Sequence, residues 1–142
     1  MDAQKRKKIL ENSNFSLRRE NKLKELIKKY DISPFFYQKL QILQGFKIVF
    51  IFDDSGSMNT PLLDSPLNNK NKLFNATRWN ELQYFANISL EIASLFDQEG
   101  SDVYFLNRSI LAPYQNVRSA EDIADYFEEK PQGIFNFTFF FN

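Results

Sequence analysis

From Leu23 the apolar residues Leu23, Leu26, Ile27 and Tyr30 fall at i, i+3, i+4 and i+7, which is one face of a helix. That stripe predicts an amphipathic helix ending near Asp31. Ser33-Pro34 comes next, a hydroxyl suited to capping and a ring whose fixed φ suits a first helical turn. Phe36, Leu40 and Leu43 carry an apolar face onward until Gly45, which can close a helix in the left-handed conformation. Before Leu23 the apolar positions are scattered, and Asn12-Ser13-Asn14 interrupts any helical period. The pattern predicts a basic mobile extension over 1–22 and a helical pair over 23–45.

The period then shortens. Residues 46–52 are apolar except for Lys47 and include β-branched Ile48, Val49 and Ile51, the composition of a strand covered on both faces in a parallel sheet. This segment is expected to be the central strand. Residues 59–75, rich in Asn, Pro and Lys, read as a long loop with turns at Thr60-Pro61 and Ser65-Pro66. Thr77 can cap a helix over 78–98, where Leu82, Phe85, Ala86, Ser89, Ile92, Ala93 and Phe96 keep helical spacing, and Gly100 can end it. Residues 103–106 read as a second strand, and 109–117 as an edge strand that tolerates Pro113. Ser119 and Asp122 open a last helix over 119–130 in a capping-box-like pattern, and Lys130-Pro131 stops it. Strand, helix, strand in that order implies a parallel crossover. The predicted class is α/β, with a mostly parallel sheet preceded by two short helices.

The last nine residues hold five of the chain's sixteen phenylalanines and no charge. One reading of 134–142 is an apolar strand. The other, which the composition favours, is non-native translated sequence from an AT-rich gene, because natural chains usually interrupt such aggregation-prone runs with charge.

Composition narrows the chemistry. The 142-residue chain is 43% hydrophobic, enough for the core of one domain. It has no cysteine, hence no disulfide and no thiolate site, and no histidine, the commonest general base and transition-metal ligand. Any metal must bind through oxygen. Net charge is zero, yet residues 1–30 carry ten Lys/Arg against four Asp/Glu, and the remainder eight against fourteen. The basic arm has only Phe15 and Tyr30 as aromatics and no nucleic-acid motif, so a solvated arm is expected rather than a nucleic-acid partner. Only Ile9-Leu10 follow the first basic run, and no apolar run reaches membrane-span length. A cytoplasmic or otherwise intracellular chain, without signal peptide or transmembrane segment, is the expectation.

Asp53-Asp54-Ser55-Gly56-Ser57-Met58 directly follows the predicted central strand. Ligands of open α/β sheets bind outside the carboxyl ends of strands, which makes this loop the candidate site. A hard cation such as Mg²⁺ takes oxygen donors in octahedral geometry and keeps some waters. Asp53, Ser55 and Ser57 can turn to one point, with Gly56 expected to relieve backbone crowding between them. Asp, Ser and Gly are also ordinary turn residues; the strand-end position is what favours a metal site.

Residues 49–58, with Asp53-x-Ser55-x-Ser57 followed by Met58 after a buried strand, resemble the start of a von Willebrand factor type A domain and its metal-ion-dependent adhesion site. The resemblance covers roughly 46–133 and implies the N-terminal half of a Rossmann-like, three-layer domain, with 134–142 an atypical Phe-rich tail. It also implies that Ser55 and Ser57 are direct ligands of Mg²⁺, Mn²⁺ or Ca²⁺ and that Asp53 acts largely through water. Family members complete the site with a threonine from a second loop and an aspartate from a later strand. Pro131-Gln132-Gly133 looks like the entry to that second loop, but Ile134-Phe135 follow, and Thr138 is the one threonine beyond it. The later aspartate has no counterpart here.

The function expected from these residues is cation-dependent binding of a protein partner that offers a carboxylate to the metal, without turnover. The alternatives are a nonfunctional truncated product and an aspartate-based phosphotransferase with Asp53 or Asp54 as nucleophile. Phosphotransfer of that kind normally places a second acid two residues after the first, where Ser55 stands, and no phosphate loop exists elsewhere.

Overall fold

The computed structural model describes residues 2–68, 74–97, 99–108 and 114–133, and the side chains of Ile9, Asn12 and Phe15 are outside the description. The chain divides into two compact units, Met1–Phe46 and Lys47–Asn142.

The first unit opens with helix α1, Ala3–Lys29, followed by α2, Pro34–Leu40, and a 3-10 turn, Gln41–Leu43. Helix α1 runs unbroken through Asn12-Ser13-Asn14, where an interruption of the helical period was expected. Asn and Ser are weak helix formers but cost only tenths of a kcal/mol each. Glu20 lies 3.1 Å from Lys24 one turn on, in the favourable orientation, and Lys28 and Lys29 in the last turn complement the helix dipole. The expected stripe is where it should be: Leu26 is buried, and Leu23, Ile27 and Tyr30 are half-buried. Ser33 caps α2 by accepting the Phe36 N–H at 3.2 Å, Pro34 occupies its first turn, and Gly45 has φ +85.

Among the described residues the second unit is a three-stranded sheet with helices on one face. Strand β1, Val49–Phe52, pairs in parallel with β2, Ser101–Phe105, in the register Phe50 to Val103 and Phe52 to Phe105. Between them lies α3, Arg78–Ala93, opened by a capping box in which Thr77 and Asn80 satisfy each other's backbone N–H groups. Strand β3, Tyr114–Val117, returns antiparallel to β2, and a 3-10 turn, Ala120–Ile123, leads into the short helix α4, Ala124–Glu128. The described sheet is therefore mixed rather than mostly parallel. Lys47 and Asp97 fix the entry to β1: Asp97 Oδ2 accepts the Ile48 N–H at 3.0 Å, and Lys47 Nζ donates to the Gly100 carbonyl at 2.6 Å.

Among the described residues the strand order is β1-β2-β3, so β1 is an edge rather than the centre. Its side chains alternate. Phe52 is buried and Phe50 half-buried against Trp79, Leu90, Phe105, Ile123 and Phe127, whereas Val49 is 49% and Ile51 62% exposed. The expectation of a strand covered on both faces fails for that second row. A continuous apolar run gives no signal of which face lacks a cover. The core is aromatic: Phe105 stacks on Tyr126 at 3.9 Å, Trp79 lies 4.8 Å from Phe127, and the Trp79 indole N–H donates to the Phe127 carbonyl at 3.3 Å. No helix among the described residues is long and apolar enough to cross a membrane.

Candidate metal centre

Burial of Phe52 anchors the end of β1, and the chain leaves the sheet at Asp53. The Ser55 N–H donates to Asp53 Oδ1 at 2.8 Å, an Asx turn that bends the backbone back over the strand end. A 3-10 turn, Gly56–Asn59, follows, held by the Met58 N–H to the Ser55 carbonyl at 2.9 Å and by the Thr60 hydroxyl to the Ser57 carbonyl at 2.7 Å. The two turns bring Ser55 Oγ and Ser57 Oγ to 2.9 Å of each other. Ser55 is buried, Asp53 half-buried and Ser57 exposed, so the pair opens to solvent on one side.

The two hydroxyls hydrogen-bond to each other at that distance, a bond that a cation held between them would replace. Two oxygens on adjacent vertices of an octahedron with bonds of 2.0–2.1 Å are about 2.9 Å apart. The donor set is one carboxylate and two hydroxyls, which fits a hard divalent ion; no three His, Cys, Asp or Glu side chains gather among the described residues. Gly56 plays a different part from the one expected. Its φ is not left-handed, and a Cβ there would stand 3.4 Å from the Gly133 carbonyl oxygen, an ordinary contact. What Gly56 supplies is its N–H, which donates to that carbonyl at 2.9 Å.

Gly56 thus joins the first loop to a second. The Gln132 N–H donates to the Asp54 carbonyl at 3.0 Å, and Asn59 Nδ2 donates to the Pro131 carbonyl at 2.8 Å. Residues 131–133, expected to open a second loop, do lie beside the first. Thr138, the remaining candidate ligand, lies outside the described residues.

A third loop, at the carboxyl end of β2, ties the other two together. The Asp54 side chain is 0% exposed; its Oδ1 accepts the Asn107 N–H at 2.7 Å and its Oδ2 faces Arg108 Nε at 3.5 Å. Burial pushes the Asp54 carboxyl above the ordinary carboxylate range, against the pull of the Asn107 hydrogen bond and the Arg108 charge. Arg108 then reaches outward to Glu129 at 3.2 Å and donates to the carbonyls of Tyr126 and Lys130, with its guanidinium 4.9 Å from the Tyr126 ring centre. Asn107 Nδ2 adds a bond to the Gln132 carbonyl at 3.2 Å.

Ser55 and Ser57 therefore bring their hydroxyls together while Asp53 accepts the Ser55 N–H, and Asp54 points inward toward Asn107 and Arg108. Asn59, Asn107 and Arg108 were not among the site residues expected from the sequence. Asn107 and Arg108 carried a usable signal, since they follow a predicted strand and strand ends are where sites form. Comparison with family models, with characterised proteins and with solved structures returns no match to this chain.

Proposed function

We propose that the chain is a divalent-cation-dependent protein-binding module of the von Willebrand factor type A kind, with Asp53, Ser55 and Ser57 holding Mg²⁺ or a similar ion. The observation that carries this reading is the 2.9 Å approach of the two serine hydroxyls beside Asp53 at the end of a parallel strand. When bound, the cation supplies a positive centre to which a partner's carboxylate can attach. The chain's own residues prepare it. Asp53 orients Ser55 by accepting its N–H, Ser57 faces solvent, and the Gly56 N–H, the Asp54 carbonyl and the Asn59 and Asn107 side-chain amides keep residues 131–133 against the loop. Burial and commitment of Asp54 to Arg108 and Asn107 weigh against its use as a phosphotransfer nucleophile.

Thermal unfolding of the full chain across an Mg²⁺ titration tests the reading. A site that binds only the folded state adds about 2.7 kcal/mol at a hundredfold excess over Kd, and Asp53→Ala should abolish the gain. A cooperative transition that Mg²⁺ does not move would overturn it. The exposed Val49 and Ile51 row favours one competing reading, a nonfunctional truncated product, which predicts no cooperative transition at all.

A further inference from the structure

Helix α1 carries two apolar lines, and one of them takes no part in the described core. Leu26 is buried, the single apolar side chain so placed among the described residues of Met1–Phe46. Leu17 precedes it by nine residues, which at 100° per residue puts it on the opposite side of the helix. Leu10, seven residues before Leu17, continues that second line. The two leucines are 63% and 57% exposed.

Charge is arranged around the same line. Arg6, Lys24 and Lys28 fall within about 30° of it and are exposed, while the acidic residues of the helix, Glu11, Glu20 and Glu25, lie more than about 60° away. Glu20 reaches Lys24 from the side at 3.1 Å, a contact between two exposed groups. From Arg6 to Lys28 the line runs about 33 Å at 1.5 Å per residue. Because α1 is continuous through Asn12-Ser13-Asn14, these side chains form one face, with leucines in its middle and cations toward both ends.

An anionic lipid surface satisfies both components of that face. Its headgroups offer negative charge to the cations, and its acyl boundary takes the leucines, with Lys and Arg stems lying along the boundary while their heads reach outward. A nucleic-acid backbone would use the cations but offers the leucines nothing. Protein hot spots favour Trp, Tyr and Arg over Leu, and no aromatic residue stands on this line. Residues 1–30 carry ten Lys/Arg against four Asp/Glu, so the field around the helix also draws it to such a surface.

We propose that α1 lies along an anionic bilayer surface, with Leu10 and Leu17 at the headgroup boundary and Arg6, Lys24 and Lys28 against anionic headgroups. The contact uses no divalent cation and stands apart from the metal reading.

Cosedimentation of the full chain with lipid vesicles, in the presence of a chelator, tests it. Vesicles of phosphatidylcholine and phosphatidylserine at about two to one should bind at least about tenfold more tightly than phosphatidylcholine alone, and binding should weaken as salt rises. Leu10→Ser combined with Leu17→Ser should weaken binding to the anionic vesicles at least about tenfold. Lys24→Glu with Lys28→Glu should weaken it at least about threefold more than Lys8→Glu with Arg18→Glu, an equal change of charge placed off the line. Equal affinity for the two vesicle types, or no binding to either, would overturn the proposal. So would serine variants that bind as the parent does, or two charge-reversed variants that bind alike. Tighter binding to duplex DNA than to anionic vesicles at matched phosphate would also overturn it and assign the face to nucleic acid. Should the serine variants lose helix content by circular dichroism, the two vesicle types and the DNA comparison, measured with the unaltered chain, still decide.

Discussion

Replacing Arg108 with alanine removes a side chain that ties Asp54, just after β1, to the segment 126–130. Its guanidinium faces Asp54 at 3.5 Å and Glu129 at 3.2 Å and donates to the Tyr126 and Lys130 carbonyls. Breaking a buried pair by removing one partner costs about 3–5 kcal/mol. Two features pull the figure down: the Asn107 N–H remains on Asp54, and burial already holds that carboxyl above its ordinary range, so it can bind a proton instead of staying charged. Loss of the two carbonyl bonds pushes it up, by about 1 kcal/mol each. Arg108→Ala should therefore destabilise the chain by about 3 kcal/mol. Asp54→Asn keeps an acceptor for Asn107 and should lose about 1–2 kcal/mol. Combining them should cost less than the two singles together by at least about 1 kcal/mol, because both act on one pair. Urea unfolding followed by the fluorescence of Trp79, the chain's one tryptophan and 5.9 Å from the Arg108 guanidinium, reads all three. An Arg108→Ala chain within about 0.5 kcal/mol of the parent, or full additivity, would refute the tie.

The same carboxyl sets a pH dependence. Burial raises the Asp54 pKa, so the folded chain binds this proton more readily than the unfolded one; the contribution is fully present below the ordinary value of 3.8 and is lost as pH rises through the raised value. The parent should gain stability relative to Asp54→Asn as pH falls from 7 toward 4, and a constant difference by urea unfolding would contradict the assignment. Gly100→Ala should cost more than about 1 kcal/mol, since φ is +85 and the added Cβ would stand 2.6 Å from the Asn116 backbone, and a thermal melt matching the parent would contradict that geometry.

What was legible in the sequence is local. The Ser33-Pro34 start, the Gly45 stop, the Thr77 cap and the strand feeding Asp53 each depend on neighbours within a few positions, and each is found where residue chemistry puts it. The turn gathering Ser55 and Ser57 is local too. The continuity of α1 was missed because Asn12-Ser13-Asn14 weakens a helix without ending it. The edge position of β1 and the open row of Val49 and Ile51 depend on what stands beside the strand, which an apolar run does not record. The Asp54–Arg108 pair was illegible for the same reason: Asp54 and Arg108 lie far apart in sequence, and only the parallel pairing of β1 with β2 brings the two strand ends together.

The central claim is that Ser55 and Ser57 hold a divalent cation, and Mn²⁺ tests it directly because its free ion is visible by electron paramagnetic resonance. Titrating the full chain should remove the free-ion signal to one equivalent per chain, with Mg²⁺ displacing the bound Mn²⁺. Ser57→Ala should weaken binding about tenfold or more, some 1.4 kcal/mol for a lost ligand. A free-ion signal that rises from the first addition as it does in buffer, or binding that Ser57→Ala leaves unchanged, would contradict the account.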